Sequence, residues 1–220
     1  MIDTHPFVAQ QVRAAYNRRS WIYDKIVAPL EFDYHRLALA RAAIQPREKV
    51  LEVAVGPGRA LLEIVKRVDR DNVVHGVDLS AGMLQIARQT IAAAGFTNVD
   101  LSEADARRLR FPDDTFDVLY NGYMLDLIPL DGMGAILAEF RRVLKPGGRL
   151  VLLNMSKRDE RALTMRERLY QSLPPSFVLY FMGGCRPVLM EQPVKQAGFR
   201  EVERQFVDGK FPSEIVTGLK

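Results

Sequence analysis

From residue 49 to residue 153 the chain repeats one alternation, a short β-branched apolar run followed by a segment of helical period, and nothing else in the sequence limits the fold as strongly. The first run, 49–55, ends in Gly56-Pro57-Gly58, and Leu61, Leu62, Ile64, Val65 and Val68 follow at helical spacing. Residues 73–78 read as a buried strand, 81–94 as a helix stopped by Gly95, and 99–101 as a short strand. A further strand at 116–120, a helix at 134–144 ended by Pro146-Gly147-Gly148, and a strand at 149–153 complete the series. This order predicts an α/β fold with a mostly parallel sheet covered on both faces.

The flanks differ. Runs at 199–207 and 211–216 are separated by only Asp208-Gly209-Lys210, which predicts a C-terminal antiparallel hairpin. Before the sheet, Val8, Val12, Ala15 and Tyr16 recur at helical spacing, and Leu37, Leu39 and Ala40 lie in a second segment after Pro29, so residues 1–45 read as an N-terminal helical cap. Residues 172–186, with Pro174, Pro175, Phe177, Tyr180, Phe181, Gly183 and Gly184, cannot be one regular element. The expected plan is one structural domain: the cap at 1–45 and a body at 46–220, with an insertion at about 155–190 on the substrate side.

Composition bounds the function. At 48% hydrophobic and 26% charged residues the chain is balanced like an ordinary globular protein, and a net charge of +4 is too small to name an anionic partner. No nucleic-acid partner is expected. The basic run at 157–168 is interleaved with Asp159, Glu160 and Glu167 and reads as a solvated helix face. A single cysteine, Cys185, excludes an intramolecular disulfide and reads as a buried or incidental thiol of a reducing compartment. No signal-peptide pattern and no apolar run of membrane-spanning length occurs, so the expectation is a cytoplasmic protein, with peripheral membrane contact left open. No cluster has metal-ligand spacing.

Open parallel sheets bind ligands at the carboxyl ends of their strands, near the point where strand order reverses. The candidates therefore follow each run: Glu52 to Gly58 at the first, Asp78 at the second, Asp105-Ala106 at the third and Asn121-Gly122-Tyr123 at the fourth. Asp78 stands where an acid accepts hydrogen bonds from ribose hydroxyls in nucleoside-binding α/β domains, and Ser80 is left to cap the following helix. A dinucleotide fingerprint would want a third glycine where Leu61 stands, which disfavours an NAD(P)-dependent oxidoreductase.

Residues 50–153 resemble the class I S-adenosylmethionine-dependent methyltransferases, most closely the ubiquinone/menaquinone-biosynthesis-like branch. LEVAVGPGRA resembles the first motif, GVDLSAGML the ribose-binding motif, EADARRLRFPDDTFDVLYNGYML the adenine and fourth-strand motifs, and RRVLKPGGRLVLLN the turn into the fifth strand. The resemblance implies a Rossmann-like seven-stranded sheet with S-adenosyl-L-methionine as cofactor. It implies that Glu52 and the Ala54-to-Gly58 turn, with Gly56 and Gly58, hold the methionine portion. Asp78 would hold the ribose, Leu79 and Met83 the adenine face, and Asp105 with Ala106 the adenine amine. Asn121 would line the sulfonium side, and Tyr23 would close over the cofactor.

Two residues depart from the family pattern. Ala54 replaces the first glycine, and alanine at a strand end is expected to take ordinary β dihedrals. Asp126 stands where many relatives carry histidine. Asp126 is the expected base, with Tyr123 and His35 contacting an acceptor of small-molecule or lipid-like kind, quinone or phospholipid. A cofactor-binding scaffold without catalysis is the remaining alternative.

Overall fold

Residues 11, 14, 28–159, 165–174, 177 and 184–220 are described by the structure, a computed structural model. The strands are β1 (Val50–Val53), β2 (Val74–Asp78), β3 (Val99–Glu103), β4 (Phe116–Gly122), β5 (Leu144–Met155), β6 (Arg200–Val207) and β7 (Ser213–Leu219). The helices are α1 (Ala28–Ala42), α2 (Arg59–Val65), α3 (Ala81–Ala93), α4 (Leu130–Val143), α5 (Met165–Ser172) and α6 (Glu191–Gln196). One seven-stranded sheet runs in the order β3-β2-β1-β4-β5-β7-β6. The first five strands pair in parallel, and β7 joins β5 and β6 antiparallel. Strand order reverses between β1 and β4, and this places a ligand crevice at their carboxyl ends.

Alternation along each strand sorts the core into two layers. On one face Val50, Val118, Tyr120, Val151 and Leu153 pack with Ala38, Leu39 and Ala42 of α1, Leu61 and Ile64 of α2 and Leu84 and Ala87 of α3. On the other, Leu51, Val53, Leu119, Leu150 and Leu152 pack with Met133, Ile136, Leu137 and Phe140 of α4 and Val194 of α6. The central strand β1 is buried at every position, as a strand covered on both faces must be. The described part of the expected cap is thus α1, which packs in the same layer as α2 and α3.

Several boundaries moved. α4 starts at Leu130 rather than at Gly134, because Pro129 occupies the N-cap with φ −54 and Asp131 lies in the first turn. β5 starts at Leu144, since Leu144 pairs with Phe116 and a register shift before Val118 absorbs Pro146-Gly147-Gly148 without ending the strand. The C-terminal hairpin forms as expected, with its second strand inside the sheet and β6 at the edge.

The mixed-charge run is not simply a solvated face. Lys157 donates to Glu167 at 3.1 Å with both side chains almost fully buried, because charges withdrawn from water must be paired. Cys185 is buried. Among the described residues no helix is long and apolar enough to cross a membrane.

Candidate active site

The site is built from the ends of β1, β2 and β4. After β1 the chain leaves the sheet through three left-handed residues, Ala54 (φ 62), Gly56 (φ 52) and Gly58 (φ 80). The expectation of ordinary β dihedrals at Ala54 is thereby corrected. Both Ala54 and Val55 donate their N–H to the carbonyl of Val77, at 2.8 and 3.1 Å, and two successive donors reach one acceptor only if the backbone twists between them.

The two glycines serve different ends. A Cβ on Gly58 would lie 2.9 Å from the Cα of Ala87, so this glycine lets α2 start against α3. A Cβ on Gly56 would meet no heavy atom within 4 Å, so this side of the turn is open.

Asp78 closes the turn from β2. Its Oδ2 accepts the N–H of Gly56 at 2.9 Å and its Oδ1 the N–H of Ser80 at 2.8 Å, while Ser80 Oγ accepts Met83 N–H at 3.1 Å as the cap of α3. Burial pushes the Asp78 carboxyl up to about 6, against the pull of these N–H groups. Glu52, buried on β1, is pushed well above the usual carboxylate range by burial and then by Asp78. Its Oε2 has no hydrogen-bond partner among the described residues. A buried and a half-buried carboxylate beside an open turn suit a ligand that brings an ammonium and hydroxyl groups.

Leu79 is half-buried and Met83 buried at the start of α3. Asp105 is taken up by its own loop: the Arg107 side chain donates to Oδ2 at 2.6 Å and its backbone N–H to Oδ1 at 2.9 Å, and the guanidinium holds this carboxyl below its ordinary value. Ala106, beside it, is partly buried against the α4 layer.

At β4, Asn121 Nδ2 donates to the carbonyl of Val53 at 2.7 Å and staples the two central strands. Tyr123 holds φ 51, donates its N–H to Leu153 at 2.7 Å, and places its hydroxyl 2.9 Å from Ser213 Oγ. Burial raises its phenol far above the ordinary value. Asp126 lies in a 3-10 turn, Leu125–Leu127, fully buried. Its Oδ2 accepts the N–H of Met155 at 3.0 Å and its carbonyl the N–H of Arg186 at 3.1 Å, so it ties the end of β5 to the last part of the insertion. Tyr23 lies outside the described residues.

His35 reaches the same place from α1. Its Nδ1 lies 2.7 Å from the hydroxyl of Tyr120, and its ring stands edge-on to Tyr123 at 5.5 Å. Burial drives the imidazole down to about 4. Tyr120 was not singled out from the sequence, where it is one more apolar residue of a strand. In register it is the neighbour of Glu52. Its proximity to Asn121-Gly122 was the available signal. The structure thus brings Glu52, Gly56 and Asp78 together at the ends of β1 and β2, with His35, Tyr120 and Tyr123 at the adjoining end of β4, where Tyr120 is the register partner of Glu52. Asp105 and Asp126 are engaged by their own neighbours.

Known proteins resemble the chain in sequence and in fold. Residues 50–148 match the methyltransferase domain family. The demethylmenaquinone methyltransferase of Symbiobacterium thermophilum is 33% identical over 153 residues, which are 67% of this chain and 60% of that protein. The aklanonic acid methyltransferase DauC of Streptomyces sp. strain C5 is 28% identical over 168 residues, 76% of this chain and 72% of that protein. The solved structure of the [4+2]-cyclase SpnF superposes with a TM-score of 0.79 at 18% identity, covering 100% of this chain and 98% of that one, and shows the fold alone.

The Rossmann-like sheet and its glycine turn thus define a nucleoside-binding α/β protein. Residues 50–148 belong to the methyltransferase domain family, and the chain is similar to curated methyltransferases of ubiquinone and menaquinone biosynthesis. It spans 60% to 66% of the length of the first curated relatives it matches.

Proposed function

We propose that the protein transfers a methyl group from S-adenosylmethionine to a small, quinone-type acceptor. The observation that carries this reading is the Glu52 carboxylate, buried with an unpartnered oxygen next to Asp78 at the open glycine turn. When bound, S-adenosylmethionine supplies a methyl group already activated as a sulfonium. Glu52 would hold its ammonium, Asp78 the ribose hydroxyls, and Leu79 and Met83 the adenine. Asp105 would take the adenine amine beside Ala106 only by sharing its carboxylate with Arg107. The chain's remaining task is to orient the acceptor and exclude water, and positioning of that kind supplies roughly 7–11 kcal/mol of a barrier.

The acceptor class rests on relatives named for demethylmenaquinone and aklanonic acid. A lipid-like tail on it agrees with Met165 and Leu169, one helical turn apart and exposed on α5. Of the acid–base candidates, His35 and Tyr123 line the acceptor side, and Asp126 supports β5. A cytoplasmic location agrees with the single buried thiol.

Calorimetry with S-adenosylmethionine and with NAD(P), followed by an assay for S-adenosylhomocysteine over quinone and phenol acceptors, tests the proposal. Binding of the sulfonium cofactor, its loss in Glu52→Gln, and turnover on a quinone-type ring are expected. Binding of NAD(P) instead would overturn it.

A further inference from the structure

Tyr120 and His35 are 85 residues apart in the chain and meet through one hydrogen bond. Viewed alone, the pair allows either atom to donate. The surroundings decide between them. Tyr120 is completely buried, and His35 Nδ1 is the one hydrogen-bond partner of its hydroxyl among the described residues. A phenol accepting from Nδ1–H would leave its own O–H buried without an acceptor, whereas a phenol that donates leaves only a lone pair unmatched. The second deficiency is the milder one. Burial, with Glu52 next in effect, also keeps Tyr120 protonated, so it has a hydrogen to give. Nδ1 is then the acceptor, and the single proton of the neutral ring sits on Nε2.

Gly122 explains how the pair fits. A Cβ there would lie 2.6 Å from His35 Cε1, 3.1 Å from Nδ1 and 3.2 Å from the Tyr120 hydroxyl. Only glycine lets the imidazole and the phenol close over the end of β4, and Tyr123 braces the ring edge-on. Asn121, the preceding residue, is bound to β1. The imidazole therefore covers the end of β4, the strand next to Glu52 on β1.

We infer that His35 is a neutral Nε2–H donor that holds a carbonyl or enolate oxygen of the acceptor next to the carbon to be methylated, with Tyr120 the positioning residue that sets its tautomer. This rests on the proposed methyl transfer and narrows the acceptor to rings or ketones whose nucleophilic carbon neighbours an oxygen. A neutral imidazole suits that task, because it stabilises charge on the oxygen without surrendering a proton. No proton moves in the interaction. Asp126, committed to Met155 and Arg186, is not needed for it.

The test is nitrogen-15 NMR of the full chain labelled at histidine, with S-adenosylhomocysteine added, the three histidines being assigned by single substitutions. His35 is expected to show a protonated Nε2 and a bare Nδ1 at neutral pH, and Tyr120→Phe a mixture of tautomers. A protonated Nδ1 in the wild type overturns the inference. Added 2-hydroxy-1,4-naphthoquinone, present as its enolate, is expected to move the Nε2–H resonance, and His35→Phe to weaken its binding about tenfold. No movement of that resonance overturns the donor role. Failure of S-adenosylhomocysteine to bind would sink the methyltransferase reading itself, so the two failures are distinguishable.

Discussion

Asp78 Oδ2 accepts the backbone N–H of Gly56 at 2.9 Å, so the acid that ends β2 is built into the glycine turn that ends β1. Replacing it disturbs fold and ligand together. Asp78→Ala leaves the N–H groups of Gly56 and Ser80 without their acceptor and is expected to cost about 1–3 kcal/mol in denaturant unfolding. The same variant should lose more than about tenfold in S-adenosylmethionine affinity, since a hydrogen bond to a charged group contributes about 1.5–3 kcal/mol. Calorimetry that finds wild-type affinity would show that the ribose is held elsewhere.

The raised carboxyl makes binding pH-dependent. Asp78 titrates at about 6 in the fold against 3.8 as a free group, so the folded chain without cofactor binds the proton more tightly than the unfolded one. The stability contribution of that proton is full below the free value and is lost as pH rises through about 6. A cationic ligand reverses the preference by stabilising the ionised forms of Asp78 and of Glu52, which is raised in the same direction. S-adenosylmethionine affinity should therefore increase with pH through about 6, with protons released on binding. Calorimetry in buffers of different ionisation enthalpy measures the release, and proton uptake would contradict the account.

Ala54 carries φ 62, a conformation that costs an L-residue roughly 1–2 kcal/mol. Ala54→Gly removes this cost and adds about 0.5–1 kcal/mol of backbone entropy in the unfolded chain. The net expectation is a gain of about 0.5–1 kcal/mol, seen as a higher denaturant midpoint at unchanged slope. A lower midpoint would mean that the Ala54 methyl group packs favourably enough to outweigh the strain.

Gly58 and Gly56 should separate fold from binding. Gly58→Ala brings a methyl to 2.9 Å from the Ala87 backbone at φ 80, and strain plus overpacking is expected to cost about 2–5 kcal/mol. Gly56→Ala meets only the dihedral cost of about 1–2 kcal/mol, because the space around it is open. If that opening receives the cofactor, Gly56→Ala weakens S-adenosylmethionine binding more than it weakens the fold. Thermal unfolding and calorimetry on the two variants decide the order.

Local pattern made the strands, the helices between the parallel strands, the hairpin and the glycine turn legible, because period and turn chemistry are properties of neighbours in the chain. Asp78 and its cap partner Ser80 were legible for the same reason, lying two residues apart at a strand end. Three features were not. Ala54 turns left-handed because the Val77 carbonyl takes two N–H groups from the turn after β1, a demand made by the neighbouring strand. Gly58 is required by Ala87 of a different helix. Tyr120 faces His35 because β4 and α1 fold into one layer, bringing together residues 85 apart. The sequence by itself determined the order of elements and the chemistry at each strand end. Only the tertiary structure decided which of those groups remain available to a ligand and which are consumed in holding the strands, since desolvation and partner choice depend on contacts that no local window contains.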